Sequence, residues 1–368
     1  NGDGGGDFAI GDEYGTYIFF GRGSAFSYAS LDISDFDSSS SLGVYIDEDS
    51  EGYGWGKGIV SPGDVNGDGI DDILLNSPHR FINAVAVIYG SRTAGSQISI
   101  QDLLTASPLG FMVLPGGDFD FGVGAAAGDM NGDGVNDLLL PQSFVSAHGR
   151  EYAGYVFVVY GQNLTTDREP VYLLGGGFAR GPTTGVRIFG AVEEEYLGAT
   201  FGPAGDHNND GHPDIILTNN FGQVYTMALP DFTAPPQPLY YDVDIDILEE
   251  GPTFHMVYGS PGMDACSIGD FNGDGIDDLF IAAMLYNITT ENDLVGGAYV
   301  LFGNTTTPGA PLDMLSLSLG DSSSAGFRII ASSLAYVGPV TVGGDYNNDG
   351  FADVLVVDPS FGGTGAVF

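Results

Sequence analysis

Residues 64–72, DVNGDGIDD, place side-chain oxygens at Asp64, Asn66, Asp68 and Asp72, with Gly69 set between the last two. Alternate residues of a tight loop can aim several oxygens inward, and calcium is a hard cation that takes six to eight oxygen ligands. The main-chain carbonyl of Ile70 is a further candidate ligand, and Gly69 permits the positive φ of a sharp turn. Three carboxylates held this close repel one another unless a divalent ion compensates them. An EF-hand shares the first six positions but needs flanking helices and a bidentate Glu at position twelve. Here position twelve is Leu75, inside an apolar run.

The loop recurs. Its first Asp lies at 64, 129, 206, 270 and 345, so the copies begin 64 to 77 residues apart. The corresponding side chains are Asp129, Asn131, Asp133 and Asp137; Asp206, Asn208, Asp210 and Asp214; Asp270, Asn272, Asp274 and Asp278; Asp345, Asn347, Asp349 and Asp353. The carbonyls of Val135, His212, Ile276 and Phe351 take the place of Ile70. Position twelve is Leu140, Leu217, Ile281 or Val356, which removes the EF-hand reading throughout. Asn1, Asp3 and Asp7 supply three ligands of a sixth copy that lacks its first Asp. An isolated copy could be a turn whose Asp and Asn serve only local hydrogen bonds. Five copies with the same spacing point to about five or six bound Ca2+ ions.

The elements that position these loops recur in phase. A β-rich run ending in an aromatic residue follows each loop at a distance: GTYIFFG (15–21), AVAVIYG (84–90), YVFVVYG (155–161) and AYVLFG (298–303). A further strand is expected in GVYI (43–46), GFMVL (110–114), GVRIFG (185–190), HMVYG (255–259) and GFRII (326–330). A Gly-rich strand leads into each loop, as in WGKGIVSPGD (55–64) and LGATFGPAGD (197–206). Short runs of Val, Ile, Tyr and Phe bounded by Gly are strand signals, and helix formers are scarce. Four short strands per repeat predict an all-β chain, a β-propeller of six or seven four-stranded blades, with the calcium loops between first and second strands. A β-solenoid is the alternative, although its repeats are normally shorter.

Phe121-Gly122, the GD-x-N-x-DG-x-x-D loop and the strand after it resemble FG-GAP repeats, as in the integrin α-subunit β-propeller. The resemblance covers residues 1–368 as one propeller, with repeats near 1–7, 64–72, 129–137, 206–214, 270–278 and 345–353. Trp55-Gly56, Leu197-Gly198 and Val337-Gly338 replace Phe-Gly elsewhere. The resemblance implies calcium loops on one face and service in extracellular adhesion or scaffolding. The partner subunit and inserted domain that the integrin head uses are not visible, so integrin function is not carried over. The landmarks give six second and third strands but five first and fourth strands. This reads as a module of a longer chain, or a subunit assembling head to tail by strand exchange into a filament.

Composition narrows the function. Forty-nine acids against nine bases give a formal charge of −40, which repels nucleic-acid backbones and anionic lipid heads. No run of 18 apolar residues is present to enter a membrane. Sequons at Asn163, Asn287 and Asn304 predict glycosylation and an extracellular or cell-surface location. The single Cys266 excludes an internal disulfide and is expected to be a buried, inert thiol. His207 and His212 fall at variable loop positions and are expected to be exposed. The run Asp37-Ser38-Ser39-Ser40-Ser41 fits a metal-site pattern without the α/β context that pattern needs. Asp242, Asp244 and Asp246 alternate with Val243, Ile245 and Ile247, the mark of a strand with one acidic face. LPDFTAPPQP (229–238) reads as a surface connection.

No nucleophile elbow, zinc helix or phosphate loop occurs. The expectation is therefore a non-catalytic adhesion or structural scaffold with protein partners or copies of itself. A carbohydrate-binding propeller and a hydrolase stand as alternatives.

Overall fold

The structure, a computed structural model, describes residues 1–12, 15–21, 42–47, 58–77, 84–92, 97–114, 123–163, 168, 170–173, 185–227, 242–244, 254–258, 263–286, 295–304, 312–313, 325–330, 341–345, 347–355, 357–358 and 366–367. The run at 37–41, the Pro-rich stretch 229–238 and the sequon residue Asn287 lie outside them. Among the described residues the fold is all-β, apart from a 3-10 turn at Ile100–Leu103 capped by the Ser99 side chain.

The second repeat shows the blade most fully. The inner strand Gly58–Gly63 runs antiparallel to Asp72–Asn76, which pairs with Val85–Ile88, which pairs with the outer strand Gly110–Leu114. The strand Val85–Ile88 is buried on both faces, so its sequence is a continuous apolar run rather than an alternation. The third repeat uses Ala125–Gly128, Asp137–Gln142, Tyr155–Val159 and Gly185–Phe189. The fourth uses Phe201–Gly205, Asp214–Thr218, Gln223–Met227 and Phe254–Tyr258. The fifth uses Met263–Gly269, Asp278–Tyr286, Val295–Leu301 and Gly326–Ile330. In the first repeat Phe8–Gly11, Gly15–Phe19 and Gly43–Asp47 pair in turn, and in the sixth Thr341–Gly344 pairs with Asp353–Leu355. These sheets are the blades of a β-propeller.

The expected four strands are joined by a fifth. Gln97–Ser99 runs parallel to the outer strand Gly43–Asp47 of the preceding blade, and Val171–Tyr172 does the same beside Gly110–Leu114. Asp242–Asp244 lies parallel beside Gly185–Phe189, and Leu312–Asp313 beside Phe254–Tyr258. Each of these four connections from third to outer strand thus clips the blade before it. The acidic alternation at 242–244 is accordingly an edge strand.

Cα proximity divides the chain into two units. One holds Asn1–Ala126, Asp133–Gln142 and Phe157–Val186; the other holds Ala127–Gly132, Ser143–Val156 and Arg187–Phe368. In the first unit Ile18, Val44 and Ile46 of blade 1 pack with Leu75, Ala86, Ile88 and Met112 of blade 2. In the second, Tyr299 and Leu301 join a cluster with Ile216 and Val224 of blade 4, whereas Ala298 and Val300 join one with Phe327 and Val354. Alternate residues of one strand therefore serve opposite faces of blade 5, as the two-residue period requires. Cys266 is half-buried against the second of these clusters, less enclosed than expected.

Candidate functional site: the acidic loops

Every inner strand that is described up to its loop ends on glycine, and in four of them the register is seen to slip there. The slip falls between Val60 and Gly63, Pro203 and Gly205, Ser267 and Gly269, and Val342 and Gly344. Gly63, Gly205 and Gly269 have φ of 82°, 67° and 70°, the left-handed value that a bulge glycine supplies cheaply. The bulge turns the chain into the acidic loop.

Inside the loop one hydrogen-bond circuit repeats. In 64–72, the Asp64 carboxylate accepts from the N–H of Gly67 at 2.7 Å, Asp68 at 3.2 Å and Gly69 at 2.7 Å. The Asn66 side-chain oxygen accepts from Asp68 N–H (2.8 Å), and Asp68 accepts from Ile70 N–H (2.8 Å). The bonds from the fifth, sixth and seventh N–H groups recur at Asp206, Asn208 and Asp210, at Asp270, Asn272 and Asp274, and at Asp345, Asn347 and Asp349, and that from the fourth recurs between Gly273 and Asp270. In the N-terminal copy, Asn1 accepts from Asp3 N–H and Asp3 from Gly5 N–H. In the 129–137 copy, Val135 N–H donates to Asp133 at 3.0 Å.

The ninth-position Asp closes the circuit. Asp72 accepts from Val65 N–H and, across the blade, from Gly90 N–H, both at 2.8 Å. Gly161 and Gly303 serve Asp137 and Asp278 in the same way, and Gly21 serves Asp7. This explains the glycine after each aromatic. A Cβ on Gly90 would stand 2.4 Å from the Asp71 carbonyl, and one on Gly161 2.3 Å from that of Asn136. Asp72, Asp137, Asp214 and Asp278 are all buried. Burial drives Asp72 and Asp214 up to about 7 and Asp278 up to about 6; their amide donors oppose this, and neighbouring carboxylates add to it.

Among the described residues, no three Asp, Glu, His or Cys side chains converge tightly enough to hold a metal by themselves. Each loop adds an Asn oxygen and a main-chain carbonyl to its carboxylates, so its donor set is all oxygen. That set suits a hard divalent cation, and the donors that reach buried Asp72, Asp214 and Asp278 are neutral amides.

Successive loops are also stitched together. Asn136 N–H donates to the Asp64 carbonyl (2.8 Å), and Gln162 N–H to that of Val65 (3.0 Å). Asp277 and Asn304 N–H donate in the same way to the carbonyls of Asp206 and His207. Pro213 occupies the position of Asn136 and Asp277 and has no N–H to give. His207 departs from expectation: it is buried, with its Nδ1 2.9 Å from the Asp277 carbonyl, and burial pushes its pKa down. His212 is exposed, as expected.

The opposite end of the blades is built differently. Within the second unit, Phe144, Tyr152 and Tyr196 cluster, with Tyr152 and Tyr196 stacked at 5.8 Å and Phe144 edge-on at 5.4 Å. Phe144 is 66% exposed. His148, Tyr152, Glu194 and Tyr196 all have φ between 50° and 58°, a strained conformation for these residues. Glu195, wholly buried, holds this region. It accepts from Tyr225 OH (2.7 Å), Asn219 Nδ2 (2.9 Å) and Val192 N–H (3.1 Å). Nothing in the sequence separated Glu195 from Glu193 and Glu194, both exposed.

The FG-GAP repeat family matches residues 121–159 and 265–301, in each case the stretch from inner strand through acidic loop to third strand. Integrin alpha-3 of Cricetulus griseus is 35% identical over 119 residues, covering 32% of this chain and 10% of that protein. Integrin alpha-5 of Xenopus laevis is 26% identical over 163 residues, covering 43% of this chain and 14% of that protein. The chain therefore spans a small part of the length of these relatives.

Proposed function

We propose that this chain, a series of FG-GAP repeats folded as propeller blades, is a calcium-stabilised, non-catalytic scaffold for adhesion outside the cell. The observation that carries the reading is the trio of buried ninth carboxylates Asp72, Asp214 and Asp278, each raised by burial and by further acids of its loop and accepting from neutral amides. In 64–72 the ion would be held by Asp64, Asn66, Asp68, the Ile70 carbonyl and Asp72, with the equivalent residues in the other copies. When bound, it supplies the positive charge that the loop lacks. The chain's own part is orientation: N–H groups hold each carboxylate in place, and Gly90, Gly161 and Gly303 fasten the loop to the third strand.

The similarity to integrin α-subunits supports an adhesive role with protein partners. The exposed cluster of Phe144, Tyr152 and Tyr196 supports the same reading, because rigid apolar surface of this kind marks contact sites. Among the described residues no helix is long and apolar enough to cross a membrane. Attachment of cells to immobilised protein tests the function. Attachment with calcium that is lost in chelator is the expected result; no attachment in either condition overturns it. The carbohydrate-binding alternative makes a different prediction, namely attachment competed away by free sugars.

A further inference from the structure

The asparagines of two of the three sequons are described residues, and both stand just beyond the glycine that ends a third strand. Asn163 follows Gly161-Gln162, and Asn304 follows Gly303 directly. The N–H of Gln162 and that of Asn304 each donate at 3.0 Å to the second residue of an acidic loop, Val65 and His207 respectively. Asn163 and Asn304 thereby lie at the acidic-loop end of their blades, and both are exposed.

Asn163 is the more telling of the two. Its side chain lies over Gly67, the fourth residue of loop 64–72: a Cβ placed on Gly67 would meet Asn163 Cγ at 3.1 Å and Cβ at 3.2 Å. Among the described residues no hydrogen bond engages its carboxamide. An exposed, uncommitted amide beside a loop residue with no side chain has room on it for a bulky substituent.

We propose that Asn163 is an N-glycan acceptor and that its glycan stands over the Gly67 side of loop 64–72. The donor class is a lipid-diphosphate-linked oligosaccharide of the secretory pathway. Asn163 Nδ2 forms the bond to the anomeric carbon, the bond from that carbon to the diphosphate oxygen breaks, the lipid diphosphate leaves, and the amide gives up one proton. Such a glycan shields the acidic-loop end and leaves contact with partners to the other end of the blades. The proposal rests on the extracellular reading.

The test uses the chain secreted from a eukaryotic host and digested with peptide-N-glycosidase in heavy-oxygen water. Labelled Asp at position 163 in most molecules is expected, and Asn163→Gln should lose the mass of one glycan. An unmodified Asn163 in a chain modified at Asn304 or Asn287 overturns this assignment alone. A chain retained in the cytosol and unmodified at all three overturns the extracellular reading with it. Should Asn163→Gln fail to be secreted, the heavy-oxygen label on the unaltered chain decides the matter.

Discussion

Asp214 and Glu195 are both buried carboxylates, yet the two ends of the blades satisfy them in opposite ways. Glu195 has a Tyr hydroxyl, an Asn amide and a main-chain N–H, a self-contained set of donors. Asp214 accepts from His207 and Asn208 N–H and from the Asn208 side chain, but Asp206 and Asp210 lie close by and raise it further. One end is complete as the chain folds. The other gathers neighbouring carboxylates that its amide donors only partly offset, which is the ground for the proposed cation.

The largest effect that separates the two ends is chelation. Emptying several ion sites should lower the melting temperature by about 10 °C or more, since one site saturated a hundredfold above its Kd contributes about 2.7 kcal/mol. Glu195→Gln should cost about 1–2 kcal/mol by the same measurement, equally with calcium and with chelator. A chelator-dependent cost at Glu195 would erase the distinction.

The next effect is pH dependence in chelator. The folded pKa values of Asp72, Asp214 and Asp278 lie above the ordinary 3.8, so the folded state holds more protons than the unfolded state in between. Metal-free stability is then fullest below about pH 4 as far as these groups are concerned, and falls as pH rises through 6 and 7, by at most about 3–4 kcal/mol for each group. Calcium should remove this fall, as urea unfolding at pH 5 and pH 8 would show.

Asp214→Asn should change sign with the metal. In calcium it loses an ion ligand and about 3 kcal/mol; in chelator at pH 8 it removes a buried charge and is neutral or stabilising. Two glycines sharpen the contrast with the smallest effects. Gly90→Ala drives a Cβ to 2.4 Å from the Asp71 carbonyl and should cost about 1–3 kcal/mol. Gly149→Ala, at φ 85° with open space around it, should cost about 1 kcal/mol from backbone strain alone.

The two ends also differ in what their sequence discloses. The acidic loops are legible because one spacing repeats five times and each role falls to a fixed residue type. The burial of His207 was legible in principle, since the same position holds Val65, Met130 and Phe271, all apolar. Of the parallel edge strands only Asp242–Asp244 was legible, by its alternation; two or three residues such as Val171–Tyr172 carry no period, and their partner lies in the preceding blade. Glu195 was hidden because its burial depends on Asn219 and Tyr225, contributed by another blade. The glycine after each aromatic was visible, but its reason, a carbonyl within 2.5 Å of any Cβ, is purely three-dimensional.

The central claim is that the acidic loops bind calcium, and calorimetric titration of the metal-free chain with Ca2+ tests it most directly. About five ions bound per chain, with a parallel rise in melting temperature and unchanged binding in Glu195→Gln, is the predicted result. A titration with no binding heat and no change in melting temperature would contradict it.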